Sequence, residues 1–110
     1  MQIDYKRDNY LSEFSKKTLE DRYLVEGETS PQDAFARAAK TFADDDAHAQ
    51  RLYDYASKLW FMFSTPVLSN GGTSRGLPIS CFLNYVEDSR EGLTGHYTEN
   101  AFLSSVGGGI

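Results

Sequence analysis

Cysteine is nearly absent: Cys81 is the only one among 110 residues, so no disulfide can close within the chain. A small core held together by disulfides is thereby excluded. Histidine is almost as scarce. His48 and His96 have no cysteine or second histidine at ligand spacing, and no metal site is expected. Long apolar runs are missing too. Met1-Gln2-Ile3-Asp4-Tyr5-Lys6-Arg7-Asp8 is charged with no apolar stretch behind it, so neither a secretory leader nor a membrane anchor is expected. Cations are in deficit, with 11 Lys and Arg against 16 Asp and Glu and a formal net charge of -5. A sequence-independent grip on nucleic acid needs surplus Lys and Arg to displace phosphate counterions, so direct nucleic-acid binding is not expected. Nucleotides as small ligands stay open.

What is present is an ordinary globular balance, 40% hydrophobic and 25% charged, which lies outside the range of disordered chains. A single domain of this length buries about 65% of its unfolded surface, enough for a modest core. Three helices are expected in the first part. One short helix lies within residues 10–24, where Leu11 and Phe14 stand at helical spacing and Glu26-Gly27-Glu28 ends the pattern. A second starts at Ser30-Pro31-Gln32-Asp33, which combines a capping serine, a proline in the first turn and an acid to complete a capping box; Phe35, Ala38, Ala39 and Phe42 share its apolar face. Asp44-Asp45-Asp46 precedes a third, with acidic charge suited to a helix N-terminus and an apolar stripe of Leu52, Tyr55, Ala56, Leu59, Trp60 and Phe63.

The character changes at Ser64-Thr65-Pro66, where proline disfavours helix in the residue before it and Ser69-Asn70-Gly71-Gly72-Thr73-Ser74-Arg75-Gly76 reads as loop. We therefore divide the chain into a helical section, 1–64, and a second section, 65–110. Ile79 to Val86 is rich in β-formers and is expected to be a strand, with Ile79, Cys81, Leu83 and Tyr85 on one face. A helix is expected from Arg90 to Val106, weakened by Gly92 and Gly95. A lone strand has unpaired backbone on both edges, so the sheet requires strands from elsewhere.

Residue types alone leave Cys81 open between a buried small hydrophobe, a ligand and a reactive thiol. The Gly-Gly-Thr-Ser-Arg-Gly loop lacks the Gly-Lys-Ser/Thr ending of a P-loop, and Trp60, Phe61 and Phe63 read as core.

Several separated motifs carry a resemblance: Thr65-Pro66-Val67-Leu68-Ser69-Asn70-Gly71-Gly72-Thr73, Leu77-Pro78-Ile79-Ser80-Cys81-Phe82-Leu83, Glu87-Asp88-Ser89 and Gly107-Gly108-Gly109-Ile110. In order and spacing they resemble the large, catalytic subunit of ribonucleotide reductases, and Leu19-Glu20-Asp21-Arg22-Tyr23-Leu24 with the Ser30-Pro31 helix resembles that family's helical N-terminal section. The resemblance implies a mainly α N-terminal section followed by the first strand and helix of a ten-stranded α/β barrel that this chain does not complete. It implies reduction of ribonucleotides to 2′-deoxyribonucleotides by radical chemistry with a cysteine pair as reductant, on a ribonucleoside diphosphate as in class I members, a triphosphate substrate staying open.

By position, Cys81 matches the first of two reducing cysteines; Thr65, Ser80 and Gly109 match substrate-holding positions, and Asp88 matches the acceptor for an effector's sugar hydroxyl. The radical-bearing cysteine and the second reducing cysteine of family members fall beyond the position of Ile110, so the implied enzyme is active only with the remainder of the large subunit. The implied partners are that remainder, a radical-generating small metal-containing subunit, with adenosylcobalamin as the alternative radical source, a ribonucleotide substrate and a nucleotide effector. Large subunits are expected to pair as dimers, thioredoxin or glutaredoxin to re-reduce the dithiol, and the assembly to work in the cytoplasm, a host's if the source is viral. No cofactor is expected on this chain itself. From a different class, a non-catalytic nucleotide-binding or assembly module using Asp88 and the Gly-rich end stays open.

Overall fold

A computed structural model of the chain describes residues 1–110 and divides them into two compact units, Met1–Pro78 and Ile79–Ile110.

The first unit holds a 3-10 turn, Tyr5–Tyr10, and helices α1 (Glu13–Arg22), α2 (Pro31–Phe42), α3 (Asp46–Ser57) and α4 (Thr65–Asn70). Helix α2 is its axis. The expected capping box is formed: the Asp33 carboxylate accepts from the Ser30 backbone N–H at 3.1 Å, and the Ser30 hydroxyl oxygen accepts from the first-turn backbone. Pro31, Gln32, Ala34, Phe35, Ala36, Ala38 and Ala39 are all buried, more than one face of the helix, because α1, α3, α4 and the 3-10 turn all pack against it. Alanines on several sides let those neighbours approach closely. Leu19, Tyr53, Ala56 and Leu68 complete the core.

Helix α3 begins where its acids place it, with the Asp45 carboxylate accepting from His48 N–H at 2.7 Å. It ends earlier than its apolar stripe suggests. Leu59 adopts a left-handed φ of 62°, its N–H donates to Ala56 O at 2.9 Å, and Trp60 N–H donates to Tyr55 O at 2.9 Å. This is a Schellman closure with leucine where glycine is usual, and Trp60 stacking on Tyr55 at 5.1 Å supplies the apolar contact that accompanies it. The expected stripe is therefore corrected: Ala49, Tyr53, Ala56 and Ser57 are buried, while Tyr55, Leu59 and Trp60 are exposed.

Tyr53 is fully buried because its hydroxyl is satisfied twice, donating to Gln32 Oε1 at 3.0 Å and accepting from Asp4 N–H at 2.9 Å. Arg7 lies over the Tyr53 ring, 5.5 Å from its centroid, and donates to Asp54 at 2.8 Å and Ser57 Oγ at 2.6 Å. Asp8 accepts from the Ser30 hydroxyl at 2.6 Å and from Gln32 Nε2 at 2.9 Å. This polar seam fastens the N-terminal turn to α2 and α3.

Two further expectations are corrected here. The segment after Ser64, read as loop, forms α4, since proline in a first helical turn removes an N–H that has no partner there anyway. Residues 65–78, assigned from sequence to the second section, pack with the helical unit, with Leu68 buried against α2.

The second unit is helix α5 (Arg90–Ser105), capped by Ser89 Oγ accepting from Gly92 N–H at 2.9 Å, with an extended segment before it. The expected strand Ile79–Val86 is not formed; a single parallel bridge, Cys81 with Gly109, is all the pairing present. Within this unit the segment has no neighbour longer than the tail after α5, so no ladder can propagate. Alternation survives nonetheless. Ile79, Cys81, Leu83 and Tyr85 are exposed, while Phe82 and Asn84 are half-buried, Asn84 Nδ2 donating to Asn100 Oδ1 at 2.9 Å.

Tyr53→Phe keeps the ring but strands Gln32 Oε1 and the Asp4 N–H, and is expected to cost about 1–3 kcal/mol in urea unfolding followed by circular dichroism. An unchanged midpoint would mean the seam contributes nothing. Acid titration tests Asp33. Burial disfavours its charge, but the backbone N–H of Thr29, the Tyr5 hydroxyl and the backbone N–H of Ser30 outweigh burial and hold its pKa below the usual carboxylate value. A depressed native pKa stabilises fully above the unfolded value near ~3.9 and loses that contribution as pH falls through the native value. The Tm gap between the wild-type chain and Asp33→Ala is expected to be constant from pH 7 to 5 and to narrow below about pH 4.

Candidate functional site

The chain's one thiol sits on the bridge. Phe82 N–H donates to Gly109 O at 2.8 Å and Gly109 N–H donates to Ser80 O at 2.6 Å, so Ser80, Cys81 and Gly109 are brought side by side by backbone pairing. Cys81 is exposed, as a free thiol, on the face it shares with Ile79, Leu83 and Tyr85. A packing role within this unit is thus absent, and the thiol is accessible.

The Gly-rich end is built for this pairing. After α5, Gly107 takes a left-handed φ of 80° and donates to Ser104 O at 3.1 Å, and Gly108 N–H donates to Leu103 O at 2.8 Å, a second Schellman closure. A Cβ on Gly108 would lie 2.8 Å from the Phe82 ring and 2.9 Å from Leu103 O. Only glycine lets the chain turn off α5 and lie this close to Phe82, and that turn delivers Gly109 to Cys81. A Cβ on Gly109 itself would meet only Ser80 O, at 3.3 Å, so its own lack of a side chain is weakly demanded by packing in this unit.

Asp88 is exposed and stands one residue before the Ser89 cap. The capping role belongs to Ser89, which leaves the Asp88 carboxylate without a helix-end duty. Gly92 has a reason of its own, because a Cβ there would meet Glu87 O at 2.4 Å as the chain enters α5.

Thr65 belongs to the helical unit, as the first residue of α4. Its hydroxyl lies 3.1 Å from the Tyr23 hydroxyl, a partner 42 residues away that motif reading does not single out as a site residue. Both residues line an apolar cavity of about 420 Å³ with Phe14, Leu19, Phe63 and Leu68. Arg37 is a second residue that sequence reading misses. It donates to Glu28 at 2.5 Å, to Gly71 O at 2.7 Å and to Tyr23 O at 3.1 Å, tying α2 to the end of α1 and to the end of α4. A charged residue on an otherwise alanine-rich helix is the signal that could have found it.

Comparison with known proteins bears on the family. A family profile described as "Ribonucleotide reductase, all-alpha domain" matches residues 9–76. The ribonucleoside-diphosphate reductase large subunit of Invertebrate iridescent virus 6 is 46% identical over 108 residues, covering 98% of this chain and 11% of that protein. The large subunit of Invertebrate iridescent virus 3 is 48% identical over 109 residues, covering 98% of this chain and 17% of that protein. Among solved structures, the Actinobacillus ureae class Id ribonucleotide reductase alpha subunit superposes with a TM-score of 0.74 at 34% identity, covering 99% of this chain and 21% of that one. The chain thus spans less than a fifth of the length of either viral relative. With a family match over more than half its residues, the chain belongs to the ribonucleotide reductase large-subunit family, whose all-alpha domain makes up most of its helical unit.

Proposed function

We propose that this chain is the front part of the catalytic subunit of a ribonucleoside-diphosphate reductase, that residues 79–110 lead into its α/β barrel, and that Cys81 is one of its two reducing thiols. The observation that carries the reading is the bridge: Cys81 is held by backbone pairing to Gly109, with its thiol exposed rather than packed. Such a thiol can meet a second cysteine and a substrate brought to the same face.

The chemistry requires two electrons. Loss of the ribose 2′-hydroxyl as water, with a hydrogen taking its place, is balanced by two thiols closing to one disulfide. Cys81 supplies one of those thiols, and the second comes from the remainder of the large subunit. The chain has no other cysteine and is proposed to be inactive alone. Ser80 and Thr65 offer short hydroxyls that donate to phosphate or ribose oxygens without adding charge, and Gly109 offers backbone that a nucleotide can approach. Asp88, exposed and free of capping duty, is suited to accept from an effector's sugar hydroxyl.

The radical is proposed to come from a small metal-containing subunit, adenosylcobalamin being the alternative, and the re-reducing thiols from thioredoxin or glutaredoxin. The working assembly is proposed to be a dimer of large subunits in the cytoplasm.

Cys81→Ser in the full-length large subunit tests the assignment. The exposed position predicts a stability change within about 0.5 kcal/mol. Thioredoxin-supported turnover, by contrast, should fall by at least about a hundredfold, because a hydroxyl cannot close a disulfide. Normal turnover per folded molecule would end the redox assignment.

A further inference from the structure

Helix α4 is held at both ends by one set of contacts. At its C-terminal end the carbonyl of Gly71 accepts from Arg37 Nη1 at 2.7 Å. At its N-terminal end the hydroxyl of Thr65 meets the hydroxyl of Tyr23 at 3.1 Å, and the carbonyl of that same Tyr23 accepts from Arg37 Nη2 at 3.1 Å. The guanidinium is itself fixed by Glu28 at 2.5 Å, with both side chains nearly buried at 13% and 11% exposure. A planar fork with five donors is suited to hold two carbonyls and a carboxylate at once. The Tyr23 backbone is further pinned by its N–H donating to Leu19 O at 2.9 Å.

We propose that Tyr23 is a positioning residue for substrate binding, orienting the Thr65 hydroxyl as a donor towards an anionic oxygen of the bound nucleotide. This rests on the reading of Thr65 as a substrate contact. A free threonine hydroxyl turns its proton among several directions. The phenol is the more acidic of the two hydroxyls, so Tyr23 donates and Thr65 accepts, which leaves the Thr65 proton directed away from Tyr23 and polarised by the bond it receives. Both residues line the same cavity, and Thr65 is exposed while Tyr23 is half-buried, so the threonine is the more accessible of the two. Arg37 and Glu28 make the arrangement rigid, since the element carrying the tyrosine and the helix carrying the threonine share one anchor.

The test uses the full-length large subunit assembled with its radical-generating partner and a ribonucleoside diphosphate as substrate. Tyr23→Phe keeps the ring in place and removes only the hydroxyl. It is expected to raise KM roughly three- to tenfold, the range for losing one hydrogen bond, with kcat within about twofold and Tm unchanged. Thr65→Ala is expected to raise KM by at least as much, Thr65→Ser to restore it, and the double variant Tyr23→Phe, Thr65→Ala to be no worse than Thr65→Ala alone, because the two hydroxyls act as one unit. An unchanged KM in Thr65→Ala would overturn the reading of Thr65, and the inference with it. A raised KM in Thr65→Ala combined with an unaffected Tyr23→Phe, with a Tyr23→Phe that lowers only Tm, or with effects that multiply in the double variant, would overturn the inference and leave Thr65 as a substrate contact.

Discussion

The Arg37 guanidinium is the constraint on which the helical unit is organised. It rises from an alanine-rich, almost wholly buried helix and meets Glu28, Tyr23 O and Gly71 O, groups drawn from three otherwise separate stretches of chain. A buried cation is costly unless its partners satisfy it, and here the donors of the fork are turned on one carboxylate and two carbonyls. The requirement works in both directions. The carbonyls at the ends of α1 and α4 are among the groups a helix leaves without internal partners, and Arg37 satisfies one at each end. Gly71 and Gly72 fit beside this anchor because a Cβ on Gly71 would meet the Phe42 ring at 2.7 Å and one on Gly72 would meet Thr41 Oγ1 at 2.5 Å. Without that close passage the loop after α4 could not return over α2.

The second unit solves a different problem with a similar device. Its extended segment has no strand to pair with, and a left-handed glycine at the end of α5 turns the chain back far enough to give it one residue of pairing. That residue is Gly109 and its partner is Cys81. The rest of the segment keeps its alternation without a ladder, presenting Ile79, Leu83 and Tyr85 outward at 56%, 102% and 83% exposure. Apolar side chains at every second position are the pattern of an extended segment with one face suited to burial.

Legibility in the sequence followed the range of the interactions involved. The starts of α2 and α3 depend on groups within four residues, Ser30 with Asp33 and Asp45 with His48, and pattern reading finds them. The end of α3 depends on whether Leu59 accepts a left-handed conformation, which a leucine gives no sign of, and on Trp60 folding back onto Tyr55. The burial of Tyr53 in place of Tyr55 turns on Gln32 and Asp4, 21 and 49 residues away, which satisfy one hydroxyl and not the other. The same holds for the candidate site. Ser80, Cys81 and Gly109 stood out through motifs, and the structure supplies a backbone reason for their proximity. Tyr23 lay inside a motif that was legible, yet its tie to Thr65 spans 42 residues and only the fold reveals it.

If Cys81 is consumed and regenerated as a reductant, a single-turnover experiment reads this directly. Full-length large subunit is reduced, freed of external thiols, mixed with its radical-generating partner and substrate, and quenched in acid after one turnover. Peptide mapping is expected to find Cys81 in a disulfide with a second cysteine of the large subunit, in an amount equal to the deoxynucleotide formed. Product formed while Cys81 remains a free thiol would contradict a reductant role for Cys81.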